Sequence, residues 1–267
     1  GTGDCVIYSN LVTIYDGGMS NMLLTSTTGH ALNVINTAVR CKFTDVSLST
    51  LASDKSCFNK SGSGGLYSCI FDGGENTGST GARTAHLINM TASITVINSN
   101  VFRNLWLHTQ ADIAAINLEM TATGGYLYNN VFDNLVFEVC SGGAFNLAGN
   151  ANTVINNMAM WDNPIYTNNI VHIQSSAHPA YASISTKLNG YLRAGDALDS
   201  GIYDIYLGNS SSSELSGFQQ SGASNDSVHL NNTTCTLIGN LPSTIVGDIN
   251  FTHMSGGRVR ANKFVLD

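Results

Sequence analysis

The chain has 267 residues, of which 43% are hydrophobic and only 11% are charged, and its formal net charge is −7. The hydrophobic share excludes global disorder, and the acidic balance excludes nucleic acid as a partner, because such a surface repels phosphates. Basic residues are too few for an anionic membrane surface, and no apolar run reaches the roughly 20 residues of a membrane span. We therefore expect no membrane insertion.

The first 28 residues lack the repeat that begins after them. We expect residues 1–28 to form an N-terminal cap or a first irregular coil. At the other end, residues 256–267 are expected to form a final strand or a cap.

Between residues 29 and 255 an aromatic side chain recurs at spacings of 28, 31, 30, 29, 30, 27 and 33 residues. The members of this column are Phe43, Phe71, Phe102, Phe132, Trp161, Tyr191, Phe218 and Phe251. A polar column has the same period, and its members are Asn33, Asn89, Asn117, Asn146, Gln174 and Asn231. Two columns with one period indicate a solenoid.

The segments around both columns alternate with period two and end in Asn, Gly or Asp, which is typical of short strands closed by tight turns. The sequence therefore predicts an all-β protein, a single right-handed parallel β-helix of about eight coils of about 28 residues each. Equivalent residues of adjacent coils should stack about 4.8 Å apart. Apolar side chains would then point inward, and the asparagines would form a ladder.

The segments NVFRN (residues 100–104) and NVFDN (residues 130–134) carry a resemblance to a known fold family. With the repeat around them, the chain resembles the right-handed parallel β-helix superfamily, which includes pectate lyases, polygalacturonases and phage tailspikes. The resemblance covers roughly residues 29–255 and rests on architectural motifs. It includes no catalytic signature, so no catalytic residue is carried over from the family.

A column of polar and charged residues follows the aromatic column directly, and its members are Thr44, Asp72, Arg103, Asp133 and Asp162. If Asp133 and Asp162 lie one coil apart, their separation of about 5 Å suits the two carboxylates of a retaining glycosidase, with Arg103 beside them. The same pair with turn carbonyls suits Ca²⁺. Alternatively, these are ordinary turn residues that Arg103 neutralises. No other metal or cofactor is expected.

Four aromatic residues outside the core column are candidates for glycan binding, because tyrosine and tryptophan combine an apolar face with a polar group. They are Trp106, Tyr126, Tyr128 and Tyr166. Trp106 follows an asparagine turn, and the sequence leaves open whether it is exposed or fills the core.

Six cysteines in a chain rich in Asn, Ser and Thr favour an oxidising compartment. Cys41 and Cys69 each lie two residues before a column aromatic, so adjacent coils would place them within the range of a disulfide. A bond between Cys57 and Cys69 is the alternative.

These features favour a protein outside the cell, on a virion or on a cell surface, that recognises a polysaccharide or a cell-surface glycan in the manner of a tailspike or an adhesin. We expect it to assemble as a homo-oligomer, either a trimer or a polymer. A polysaccharide hydrolase using Asp133 and Asp162 is the first alternative, and a lyase fits less well because basic residues are scarce. The second alternative is a structural subunit of a filament or surface layer.

Overall fold

The structure is a computed structural model that describes residues 3–8, 12–78, 83–109, 112–161, 165–175, 183–194, 197–198, 202–221, 227–231, 233, 235–238 and 244–247. Within these ranges it contains 31 strands and no helix. Every pairing between the strands is parallel. The predicted all-β class is thus confirmed.

The strands follow one another in short segments along the chain. In order they are β1 (Val6–Tyr8), β2 (Ile14–Tyr15), β3 (Gly18–Ser26), β4 (Leu32–Val34), β5 (Ala38–Val39), β6 (Lys42–Thr50), β7 (Phe58–Lys60), β8 (Leu66–Tyr67), β9 (Ile70–Asp72), β10 (Glu75–Thr77), β11 (Ile88–Ala92), β12 (Val96–Asn98), β13 (Val101–Arg103), β14 (Trp106–His108), β15 (Ile116–Met120), β16 (Tyr126–Tyr128), β17 (Val131–Glu138), β18 (Phe145–Ala148), β19 (Asn150–Ala151), β20 (Val154–Trp161), β21 (Ile165–Tyr166), β22 (Val171–Gln174), β23 (Ser183–Ile184), β24 (Lys187–Ala194), β25 (Ala197–Leu198), β26 (Ile205–Gly208), β27 (Ser210–Ser211), β28 (Ser213–Ser221), β29 (Ser227–Asn231), β30 (Cys235–Ile238) and β31 (Thr244–Gly247).

Three long parallel sheets form the walls of a β-solenoid. Sheet A is formed by β1, β4, β7, β11, β15, β18, β22, β26, β29 and β31, and sheet B by β2, β5, β8, β12, β16, β19, β23 and β27. Sheet C is formed by β3, β6, β9, β10, β13, β14, β17, β20, β24, β28 and β30. Strands β21 and β25 pair separately.

Each coil visits sheets A, B and C in that order and then lies against the next coil, so the predicted parallel solenoid is confirmed. The coil count differs slightly from the prediction of about eight, because sheet A has ten strands. Strands β1, β2 and β3 lie within residues 1–28 and pair in parallel with β4, β5 and β6. These residues therefore contribute strands to all three walls.

The inward face carries the aromatic column up to Phe132. Phe43, Phe71, Phe102 and Phe132 are in register. Successive ring centroids are 4.6, 4.5 and 5.2 Å apart, and the rings are nearly parallel. Offset stacking at this spacing adds to the free energy gained by burial. The column is therefore the central support of the core, as predicted.

The aromatic column does not continue as predicted, because Ile155 and not Trp161 pairs with Phe132. Ile155 follows Phe132 by 23 residues, whereas Phe132 follows Phe102 by 30. Most of the shortening occurs between sheets A and B, where the connection is the single residue Gly149 here and residues 121–125 in the preceding coil. Further along the chain Leu188 occupies the column, and Phe251 lies outside the described residues.

Two columns of residues in the left-handed backbone region bend each coil. The first lies at the corner between sheets B and C and contains Asp16, Arg40, Ser68, Ser99, Asn129, Asn152, Ser185 and Ser212, with φ between 50° and 56°. The second divides sheet C into two parts and contains Asn21, Asp45, Gly73, Asn104, Asn134, Asn157, Gly190 and Gly217. One such residue turns the chain sharply, and glycine, asparagine and aspartate tolerate this conformation best.

The outward face of sheet A carries an asparagine ladder that includes four of the six predicted residues. Its members are Asn33, Asn59, Asn89, Asn117 and Asn146. Each of the last four donates its Nδ2 to the Oδ1 of the asparagine before it, at 2.9, 3.0, 3.0 and 2.7 Å. Asn33 in turn donates to Asp4 Oδ2 at 2.7 Å. Each asparagine thereby satisfies a hydrogen-bonding group of its neighbour in the ladder.

The last two predicted members of the polar column are misplaced. His172 pairs with Asn146, and Gln174 pairs with Ala148. The column then continues as His172, Tyr206 and His229, whose rings meet edge to face at centroid distances of 4.7 and 5.1 Å. Asn231 donates to the Tyr206 hydroxyl from outside the column.

The six cysteines are free thiols, so the predicted disulfides of Cys69 with Cys41 or Cys57 are absent. Cys41 and Cys69 do lie in adjacent coils, as expected. Each thiol, however, donates to the backbone carbonyl two residues earlier in the chain, at 3.6 and 3.5 Å. The two side chains therefore point the same way at the coil spacing of about 4.8 Å, which exceeds the Cβ–Cβ distance of about 3.8 Å that a disulfide requires.

Charged groups also enter the core. Arg193 Nε donates to Asp204 Oδ1 at 2.6 Å, and Tyr191 donates its hydroxyl to the same oxygen at 2.6 Å. All three side chains are buried. Lys60 is buried as well, and its Nζ donates to the backbone carbonyls of Ser61 and Ile35 at 2.5 and 3.4 Å.

Candidate functional site

The charged column that the sequence predicted is present at the first part of sheet C. Arg103 pairs with Asp72 on one side and with Asp133 on the other. Arg103 Nη2 donates to Asp72 Oδ2 at 2.6 Å, and Asn104 Nδ2 donates to Asp72 Oδ1 at 2.7 Å. These two donors lower the pKa of Asp72, with the arginine contributing more. The charge of Asp72 is therefore neutralised by Arg103, a member of the same column.

The register places no carboxylate directly beside Asp133. The residue beside Asp133 in the next coil is Asn156, followed by Asn189. Asp162 itself lies outside the described residues, but Trp161 pairs with Glu138, five residues beyond Asp133. The short 23-residue coil causes this shift. Among the described residues, Asp133 thus has no carboxylate beside it in an adjacent coil, and the next carboxylate along the column is Asp72, two coils away.

The second part of sheet C brings together a different set of side chains, which we call the tryptophan face: Trp106, His108, Glu138 and Trp161. They come from three consecutive coils, because His108 pairs with Glu138 and Glu138 pairs with Trp161. The two tryptophans are 49% and 57% exposed, which is high for such large apolar side chains. The sequence had left Trp106 undecided and had placed Trp161 in the core.

Glu138 joins the members of the tryptophan face. Its Oε2 accepts a hydrogen bond of 2.9 Å from Trp106 Nε1 and lies 3.8 Å from His108 Nδ1. The hydrogen bond fixes the plane of the Trp106 ring. The carboxylate thus lies between two exposed indole rings, with one oxygen held by the protein.

The backbone next to Glu138 is strained. Val139 has a φ of 55°, a conformation that is unfavourable for a β-branched residue. Its amide donates to Trp161 O at 3.2 Å, which ties the strained residue to the neighbouring coil. Backbone strain of this kind costs on the order of 1–3 kcal/mol and clusters at functional sites. The strain therefore marks the end of β17 as a position under constraint.

The tyrosine candidates divide between surface and core. Tyr126 is 49% exposed and Tyr128 is half-buried, and both point outward from sheet B. Tyr166 is fully buried, so the prediction that it binds glycans is wrong. Its side chain belongs to the hydrophobic core of the solenoid.

Sequence reasoning missed Glu138, although a signal was present. From Phe132 to Glu138 the side chains alternate, apart from the bend at Asn134, and Glu138 has an outward position. The alternation shows the direction of a side chain but not its neighbours in other coils. Those neighbours depend on loop lengths that the sequence does not reveal.

In the described part of the chain, no three His, Cys, Asp or Glu side chains are grouped closely enough to hold a metal ion. The same part contains no helix with the length and hydrophobicity needed to cross a membrane. Comparison with known proteins gives no match to any protein-family model, curated protein or solved structure.

Proposed function

We propose that this protein recognises a glycan through the tryptophan face, outside the cell or on a virion or cell surface. The observation that carries the proposal is the placement of two half-exposed tryptophans on either side of Glu138 on a rigid sheet. Sugar rings stack on indole faces, while a carboxylate accepts hydrogen bonds from sugar hydroxyls. Because the site is built on strands, it needs little ordering when the ligand binds.

The first test is a glycan microarray probed with the whole chain, followed by calorimetry on the best ligand. Trp161→Ala is expected to weaken binding about tenfold, or about 1.4 kcal/mol. Glu138→Gln keeps an acceptor for Trp106 Nε1 and removes the charge, and it should weaken binding by a similar factor. Ile94→Ala is the matched control, since Ile94 is 66% exposed and lies in a turn away from this face. Equal binding by all variants would show that the tryptophan face does not bind the glycan.

A structural role as a subunit of an assembly is the second candidate, and the first coil supports it. Ile7, Tyr15 and Leu23 are 48%, 63% and 67% exposed, and they lie on β1, β2 and β3, whose outer edges pair with no other strand among the described residues. Open strand edges pair readily with other strands. If this edge mediates assembly, light scattering should show mass increasing with concentration, and Leu23→Lys should abolish the increase.

A further inference from the structure

The outward face of sheet B carries a row of tyrosines at every second coil. Tyr15 pairs with Val39, which pairs with Tyr67. Tyr67 pairs with Asn98, which pairs with Tyr128. Adjacent coils are about 4.8 Å apart, so consecutive tyrosines are separated by about 9.6 Å along the solenoid axis. We call these three residues the tyrosine row.

The three rings lie at the surface of the wall. A side chain at Gly65 would collide with the ring of Tyr67, so this ring lies against the backbone at Gly65, and Tyr67 is half-buried. Tyr15 is 63% exposed and Tyr128 is half-buried. Within the described residues, no group forms a hydrogen bond with the hydroxyls of Tyr15, Tyr67 or Tyr128. Each hydroxyl is thus available to a ligand.

The charges next to the first tyrosine of the row neutralise each other. Asp16 and Arg40 are joined by two hydrogen bonds of 2.8 Å, and Arg40 Cζ lies over the Tyr15 ring, 5.9 Å from its centroid. The corner column beside the row provides small polar side chains, among them Ser68, Ser99 and Asn129. A ligand that fits this face is therefore uncharged and carries hydroxyl groups.

We infer that the tyrosine row binds an extended, uncharged β-1,4-linked polysaccharide whose chain runs along the solenoid axis. In such a chain every second sugar presents the same face, and the length of two sugars is close to the two-coil distance, which is about 9.6 Å. Each tyrosine then stacks under an equivalent sugar, and the corner hydroxyls and amides contact the sugar edges. A coiled α-linked chain cannot match this spacing. The site is separate from the tryptophan face and does not depend on it.

Calorimetry with cellohexaose tests the inference, with maltohexaose as a ligand of the same composition and different shape. We expect saturable binding of cellohexaose and at least tenfold weaker binding of maltohexaose. Tyr67→Ala should weaken cellohexaose binding at least fivefold, and Tyr67→Phe should have little effect because the ring remains. Tyr206→Ala on sheet A is the matched control. Absence of cellohexaose binding, or equal binding of the two sugars, would overturn the inference.

The spacing of the tyrosines is tested separately by moving one ring to a different coil. Val39→Tyr in the Tyr67→Ala background keeps three tyrosines but places two of them in adjacent coils, so it should not restore binding. Restored binding would contradict the periodic match. If cellohexaose binding survives Tyr67→Ala and is lost in Trp161→Ala, the tyrosine row is refuted and the tryptophan face is supported.

Discussion

Removing one amide from the middle of the asparagine ladder should destabilise the solenoid by more than one hydrogen bond. Asn117 donates to Asn89 at 3.0 Å and accepts from Asn146 at 2.7 Å, and it is 3% exposed. Asn117→Ala therefore breaks two hydrogen bonds and leaves two polar groups without their partners. At about 1 kcal/mol per bond, plus part of the desolvation cost of the remaining groups, we expect a loss of about 2–3 kcal/mol.

Urea unfolding followed by far-ultraviolet circular dichroism measures this loss. Midpoints are compared under one set of conditions, because coils that contact only their neighbours need not unfold in a single step. Asn156→Ala is the matched control: Asn156 points outward from sheet C, and its side chain forms no hydrogen bond with the described residues. We expect that control to change stability by less than about 0.5 kcal/mol. If Asn117→Ala were no more destabilising than Asn156→Ala, the ladder would contribute nothing to stability.

Three further predictions concern buried groups. Burial raises the pKa of Cys69 to about 12, so iodoacetamide at pH 8 should label the exposed Cys5 and spare Cys69 until the protein unfolds; a disulfide detected by mass spectrometry would contradict this. Burial lowers the pKa of Lys60 from 10.5 to about 8, so the folded protein binds fewer protons than the unfolded chain between these values. The free energy of unfolding should then rise with pH across that window by up to about 3 kcal/mol. If the same rise persists in Lys60→Met, Lys60 is not its cause. Arg193→Met removes the cationic partner of the buried Asp204 carboxylate, to which Tyr191 still donates, and should cost about 3–5 kcal/mol in thermal or urea unfolding. Adding Asp204→Leu should recover most of the loss, and no recovery would show that the ion pair is not the cause.

The parallel solenoid was predictable because the length of one coil appears in the sequence as a regular residue spacing. Phe43, Phe71, Phe102 and Phe132 keep almost constant spacing, since the loops in those coils have similar lengths. Inward aromatic side chains must stack when coils repeat, so the ladder followed from the spacing alone. The asparagine ladder followed from the same argument as far as Asn146, except that Asn59 was not among the predicted members.

The candidate site was not predictable to the same degree, because it depends on register. The one-residue connection at Gly149 shortens the coil and moves Trp161 from the expected core position to a place beside Glu138. Residue spacing does not reveal such a shift of register, because the strand still alternates between inward and outward positions. The same shortening places Asn156 beside Asp133, which the spacing of the sequence did not predict. Cysteine spacing predicted adjacency but not bonding, since bonding depends on side-chain orientation.

The central claim is that Glu138 and Trp161 lie side by side in adjacent coils. Spin labels attached to Glu138→Cys and Trp161→Cys, in a background where the exposed Cys5 is replaced by serine, test it by electron paramagnetic resonance. In-register strands place the two Cα atoms about 4.8 Å apart, so strong dipolar broadening is predicted. The pair Asp133→Cys and Trp161→Cys, five residues out of register, should show much weaker broadening. Weak broadening for the first pair, or stronger broadening for the second, would contradict the account.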